Sequence, residues 1–180
     1  MPLNLWHDID RGNHEVLNVI IEIPTGSRVK YELDKKTGMI KYDRVLYSPM
    51  HYPANYGFVP RTLWDDGDPL DVLVLGADPL IPGCLLEARP IGVLDMVDSG
   101  DGDAKILAVP NGDPRWNNTT CLEDVEDHIL EEIKHFFKVY KDLQHKAVNV
   151  GEWRDCSEAK KDIERSFNLY DAEYPTCNVH

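Results

Sequence analysis

The chain has 180 residues, 32 acidic against 19 basic, for a formal net charge of −13. That length buries a core without disulfides or structural metal, so residues 1–180 are expected to form one domain. The acidic balance argues against a nucleic-acid partner, which needs a basic face to release counterions. The opening segment has no leader pattern and no apolar run spans a bilayer, so a cytoplasmic protein without a membrane partner is expected.

Turn residues punctuate the first two thirds of the chain at short intervals. Strands are predicted over Val16–Ile23, Arg28–Leu33, Met39–Tyr42, Val72–Leu75, Leu85–Val97 and Lys105–Val109. Short strands with tight turns favour a closed barrel over a parallel sheet. After the loop Pro110–Thr119 the period changes. Val125, Ile129, Ile133, Phe136, Tyr140 and Leu143 recur at helical spacing, and Thr120 with Glu123 reads as a capping box opening a long helix. Ala159, Ile163, Phe167 and Tyr170, after Ser157, predict a second helix that ends before Pro175. The fold class is therefore α+β, mainly β. Cys84, Cys121, Cys156 and Cys177 lie far apart without a C-x-x-C pair, which predicts reduced thiols.

Two loops carry the chemistry. Asp66-Gly67-Asp68-Pro69-Leu70-Asp71 sets three carboxylates on one turn ahead of the buried run Val72–Leu75, an arrangement for gripping hard cations. Asp98-Ser99-Gly100-Asp101-Gly102-Asp103-Ala104-Lys105 is a second acidic loop, closed by a lysine. Carboxylates from separate loops can hold a pair of cations roughly 3.5–4 Å apart, as in metal-assisted attack at phosphorus. An EF-hand is excluded: counted from Asp66, the sixth position is Asp71 and the twelfth Ala77, where glycine and glutamate are required.

Alternation puts Lys30 and Glu32 on one strand face, as a surface ion pair or as part of a cavity, with Arg44 a turn later. Tyr52 and Tyr56 flank a proline, as core rings or as hydroxyl donors. Lys141 either favours the end of the long helix or reaches a phosphate. The histidines lack H-E-x-x-H spacing, and phosphate loops of the P-loop and Rossmann types are missing.

In chain order, Glu22, Lys30-Tyr31-Glu32, Arg44, Tyr52-Pro53-Ala54-Asn55-Tyr56-Gly57, the Asp66–Asp71 hexapeptide, Asp98 with Asp103-Ala104-Lys105, and Tyr140-Lys141 closely resemble family I soluble inorganic pyrophosphatases. The resemblance runs from about Val16 to Lys141, and D-x-D-P-x-D followed by an apolar residue is a specific signature of that family. The length resembles its shorter, prokaryotic type. The resemblance implies a five-stranded OB-like closed barrel flanked by two C-terminal helices, and a homo-oligomer, a hexamer rather than a dimer.

It also implies Mg2+-dependent hydrolysis of pyrophosphate to two orthophosphates by in-line attack of an activated water, without a covalent intermediate. Several Mg2+ ions, with Mn2+ a possible substitute, would be held by Asp66, Asp71, Asp98, Asp103 and Glu32, with Glu22 lining the same cavity. Asp68 would act as general base. Lys30, Arg44, Tyr56, Lys105, Tyr140 and Lys141 would hold the phosphate groups, and Tyr52 would support them. Lys30, Arg44 and Tyr56 belong to the catalytic set with Asp68. Rival readings are a hydrolase of other phosphoanhydrides, a cation buffer, for which those cationic side chains would be superfluous, and an OB-type single-strand binder, disfavoured by the net charge.

Overall fold

The computed structural model describes residues 3–175, so Cys177 and His180 lie outside the described residues. Its strands are β1 (Leu17–Ile23), β2 (Val29–Asp34), β3 (Met39–Val45), β4 (Asn55–Phe58), β5 (Asp71–Val74), β6 (Leu85–Asp98), β7 (Asp101–Gly102), β8 (Lys105–Pro110) and β9 (Val148–Arg154), with helices α1 (Asp127–Val139) and α2 (Cys156–Glu173). Five strands pair in a ring, β1 to β4 to β5 to β8 to β6 and back to β1. Pairing in the ring is antiparallel except between β5 and β8. The first residues of β6 close the ring on β1, while its far end pairs with β7 and β9. β2 and β3 form a separate two-stranded ribbon.

Period-two alternation along β5 and β8 divides their side chains between two of the three core clusters. Leu73, Leu107 and Val109 cluster with Ile133, Phe136 and Phe137 of α1, whereas Val72, Val74, Ile106 and Ala108 cluster with Ala159, Ile163 and Phe167 of α2. β5 and β8 are thus apolar on both faces, which is why their sequences read as unbroken hydrophobic runs. Truncating a fully buried ring such as Phe136 to alanine would cost about 3–5 kcal/mol. The β1–β4 pair is close at Gly57, where an added Cβ would lie 1.9 Å from the Ile20 carbonyl oxygen.

The helices depart from expectation at their ends. The predicted Thr120–Glu123 box does not form: Asp124 instead accepts from the Thr120 amide at 2.7 Å and its hydroxyl at 3.0 Å, Cys121 and Asp124 make the capping box of a short 3-10 turn, and α1 begins later, after Glu126. Tyr140 caps α1, and Leu143, predicted on the buried stripe, is exposed on a separate 3-10 turn. α2 is capped by Asp155, whose carboxylate accepts from the Glu158 amide at 3.0 Å, while Ser157 donates to the same carboxylate. β4 and β9 were not anticipated: β4 is only four residues, fully buried, and β9 carries exposed polar residues and Gly151.

Candidate active site

The centre of the site follows from the parallel pair. Asp71 and Lys105 open β5 and β8 and stand in register, so the two acidic loops that precede these strands enter at the same end of the sheet. Lys105 is 3 % exposed, and its ammonium is bound by both Asp71 and Asp103. It lies 5.6 Å from the Tyr56 ring centroid and 5.9 Å from that of Phe137. Burial disfavours its charge, but the two carboxylates outweigh that and hold its pKa above the ordinary lysine value. Burial likewise pushes the Asp71 carboxyl up, against the pull of Lys105 and a hydrogen bond donated by the Tyr56 hydroxyl.

The second acidic loop is tied down in the same manner. Lys141, just past α1, ion-pairs with Asp98, and Ser99 Oγ donates to the same carboxylate at 3.0 Å. Burial raises the Asp98 pKa, but the Lys141 ammonium prevails and keeps it below the usual carboxylate value. Lys141 thus reaches from beyond the helix end to the second acidic loop. Tyr140 is buried, with its ring 5.3 Å from the Lys141 Nζ, and burial together with nearby carboxylates raises its pKa despite Lys105. Tyr52 packs between Tyr56, 5.6 Å away, and Phe136, 4.8 Å away, so both phenol rings are core as well as site residues.

Two β-bulges aim further groups at the same place. Glu22 sits where the β1–β4 register shifts, and its carboxylate accepts from the Leu33 amide at 2.6 Å. Burial and the Asp71 charge push its pKa up to about 8. In the ribbon, the register shift opposite Lys30 and Tyr31 leaves Asp43 unpaired in the ladder. Its carboxylate meets Lys30 Nζ at 3.1 Å and also the Arg44 guanidinium. Lys30 Nζ lies 2.9 Å from Glu32, as alternation predicted. Arg44 Nε is buried and has no hydrogen-bond partner among the described residues. A cavity of about 440 Å³ between ribbon and ring is lined by Glu22, Lys30, Glu32, Tyr56, Asp68 and Asp71, with Lys35, Lys36 and Lys41 also on its wall.

The carboxylates of the Asp66–Asp71 turn do not converge: Asp66 accepts from the Asp68 amide at 3.0 Å, Asp68 pairs with Lys35 across to the ribbon, and Asp71 turns inward. Among the described residues no three Asp, Glu, His or Cys side chains form a ready cage for an ion. The ammonium of Lys105 stands between Asp71 and Asp103 instead. The donor set still suits hard cations. It consists of carboxylate oxygens, and two of the carboxyls, buried Glu22 and partly buried Asp71, have pKa values raised by desolvation, the condition that a nearby cation relieves.

The sequence reading missed Asp43, Lys35 and Lys41. Asp43 carried a local signal in its place beside Arg44 on a charged strand. Lys35 and Lys41 carried one in the ribbon's lack of apolar alternation, which marks a face turned to solvent or ligand.

A ring of strands bears a polar cavity in which lysines interlock with carboxylates, a lining suited to charged rather than apolar ligands. The family profile described as inorganic pyrophosphatase matches residues 19–171. Soluble inorganic pyrophosphatase 2 of Chlamydomonas reinhardtii is 50 % identical over 171 residues, covering 94 % of this chain and 89 % of its own. The inorganic pyrophosphatase of Halalkalibacterium halodurans is 51 % identical, covering 87 % and 96 %. The crystal structure of inorganic pyrophosphatase from Thermus thermophilus superimposes with a TM-score of 0.89 at 42 % identity, covering 94 % of this chain and 99 % of that one. The chain belongs to the inorganic pyrophosphatase family, whose members are inorganic diphosphatases.

Proposed function

We propose that this protein hydrolyses inorganic pyrophosphate to two orthophosphates by in-line attack of water, using Mg2+, or Mn2+ in its place. The observation that carries the reading is the Asp71–Lys105–Asp103 cluster with Tyr56 beside it, joined by Asp71 to the cavity that Lys30 and Glu32 line. Asp66, Asp71, Asp98, Asp103 and Glu32 would hold the metal, with Glu22 as a buried neighbour. When bound it supplies charge neutralisation on the phosphate oxygens and a more acidic water.

The chain's own residues do the remainder. Lys30, Arg44, Lys105 and Lys141 give charge-assisted hydrogen bonds to the phosphates, and Tyr56 and Tyr140, kept protonated by burial, donate their hydroxyls. Tyr52 supports both rings. Asp68, half exposed at the cavity wall, accepts the proton of the attacking water as phosphate departs, so no side chain forms a covalent bond to phosphorus.

The five-strand ring is read as an OB-like barrel and the chain as one domain. Among the described residues no helix is long and apolar enough to cross a membrane. A cytoplasmic homo-oligomer, a hexamer, is the assembly proposed, and light scattering tests its size. The deciding experiment for activity is phosphate release from pyrophosphate with Mg2+, with chelator, and with ATP as substrate. Mg2+-dependent release from pyrophosphate alone is expected. Release from ATP instead would transfer the site to other phosphoanhydrides.

A further inference from the structure

Lys35 lies in the turn that joins β2 to β3, and no role in the reaction has been given to it. Its ammonium donates to the Gly67 carbonyl oxygen at 2.9 Å, ion-pairs with Asp68, and lies 5.9 Å from the centroid of the Trp6 ring. No strand ladder joins the ribbon to the ring sheet. The Leu33 amide on Glu22 and the packing of Leu33 and Ile40 with Ile20 and Phe58 hold its body, while Lys35 ties its tip to the acidic turn.

Both ends of the contact are stiff. On the ribbon side the Asp34 carboxylate accepts from the Thr37 hydroxyl at 2.6 Å, and the Gly38 amide donates to the Asp34 carbonyl at 2.7 Å. On the turn side, the Trp64 amide donates to the Asp68 carbonyl at 2.8 Å and the Gly67 amide to the Trp64 carbonyl at 3.0 Å. The segment beneath is wedged between the two. Trp6 accepts from the Arg61 amide at 2.8 Å and donates through Nε1 to the Thr62 carbonyl at 2.8 Å, while an added Cβ at Gly38 would meet the Asn4 Cα at 2.8 Å.

We infer that Lys35 is a positioning residue: from the ribbon tip it grips the Gly67 carbonyl and the Asp68 carboxylate together, fixing the acidic turn against the cavity. The inference rests on the reading of Asp68 as the base. The pair itself is exposed, 48 % for Lys35 and 51 % for Asp68, so it adds little to global stability and acts on local geometry. Misplacement of a reacting group by even a fraction of an ångström lowers turnover without changing what binds.

The test uses Lys35→Met, which keeps the length of the side chain, and Lys35→Arg, which keeps its charge. Amide deuterium exchange at residues 67–68, in chelator, is expected to accelerate about fivefold or more in Lys35→Met, while the melting temperature shifts by under about 2 °C. In the pyrophosphate assay kcat should fall about tenfold with KM within about threefold, and Lys35→Arg should recover at least half of the loss. Unchanged exchange, unchanged kcat, or a loss that tracks the melting temperature in both variants would overturn the inference. Absence of pyrophosphate hydrolysis by the unmutated protein would instead sink the functional reading, leaving exchange to decide whether the clasp exists.

Discussion

Replacing Lys105 by methionine removes the ammonium from between Asp71 and Asp103 while keeping most of the volume. Lys105 is 3 % exposed, so its removal leaves two carboxylates facing each other without the compensating charge. Removing one partner of a buried ion pair costs about 3–5 kcal/mol, most of it the desolvation of the charge left behind. For a chain of this size that corresponds to a melting temperature roughly 6–20 °C lower. Tryptophan fluorescence during thermal and urea unfolding, in chelator, measures it.

Two comparisons guard against a trivial result. The exposed pair Lys41–Glu32, cut by Lys41→Met, should change stability by under about 1 kcal/mol. In a double-mutant cycle, Asp103→Asn should cost less in the Lys105→Met background than alone, because the ammonium it served is gone. Saturating Mg2+ should narrow the gap between Lys105→Met and the unmutated protein. A Lys105→Met loss below about 1 kcal/mol in chelator would mean that the carboxylates are solvated, and the electrostatic account of the site would fail.

Asp68→Asn should lower kcat by about a hundredfold or more with little change in KM, and a full-rate variant would remove the proposed base. Gly57→Ala should destabilise the fold by more than about 4 kcal/mol, because its Cβ would overlap the Ile20 carbonyl; a melting temperature near that of the unmutated protein would show that β1 and β4 can separate. His7, stacked on Trp6 and hydrogen-bonded to the Tyr170 hydroxyl, has a pKa that burial lowers from 6.5 despite the Asp8 charge. The unfolded chain therefore protonates first as pH falls, so stability is complete above about 6.5 and declines below it, the loss ending beneath the folded pKa. Urea midpoints measured from pH 8 to 5 should fall more steeply for the unmutated protein than for His7→Gln; parallel curves would refute the assignment.

What the sequence made legible was local. The Lys30–Glu32 alternation and the stripe of α2 each depend on neighbours within a few residues, and both recur in the structure. The partners of the charges were not legible. Asp71 meets Lys105 and Asp98 meets Lys141 across intervals of 34 and 43 residues that only the strand order closes. The same holds for Lys35 and Asp68, which lie in turns that flank different sheets. α1 was drawn too long because Val125 and Leu143 fit its period by coincidence: one is buried in extended chain, the other exposed on a later turn. The bulges at Glu22 and Asp43, which re-aim both side chains, left no trace in residue type.

The parallel pairing of β5 with β8 also bears on when this protein becomes competent. Every other link in the ring is antiparallel, but Asp71 and Lys105 meet only after the whole intervening excursion through β6 has returned to lie beside β5. Contacts of such long sequence separation close late, after the loop entropy has been met. A nascent or half-folded chain can form the ribbon and the β4–β5 hairpin and still lack the Asp71–Lys105–Asp103 cluster. Capacity for chemistry is thus a late reporter of folding, and regain of phosphate-dependent signal after dilution from urea should trail the return of helical circular dichroism.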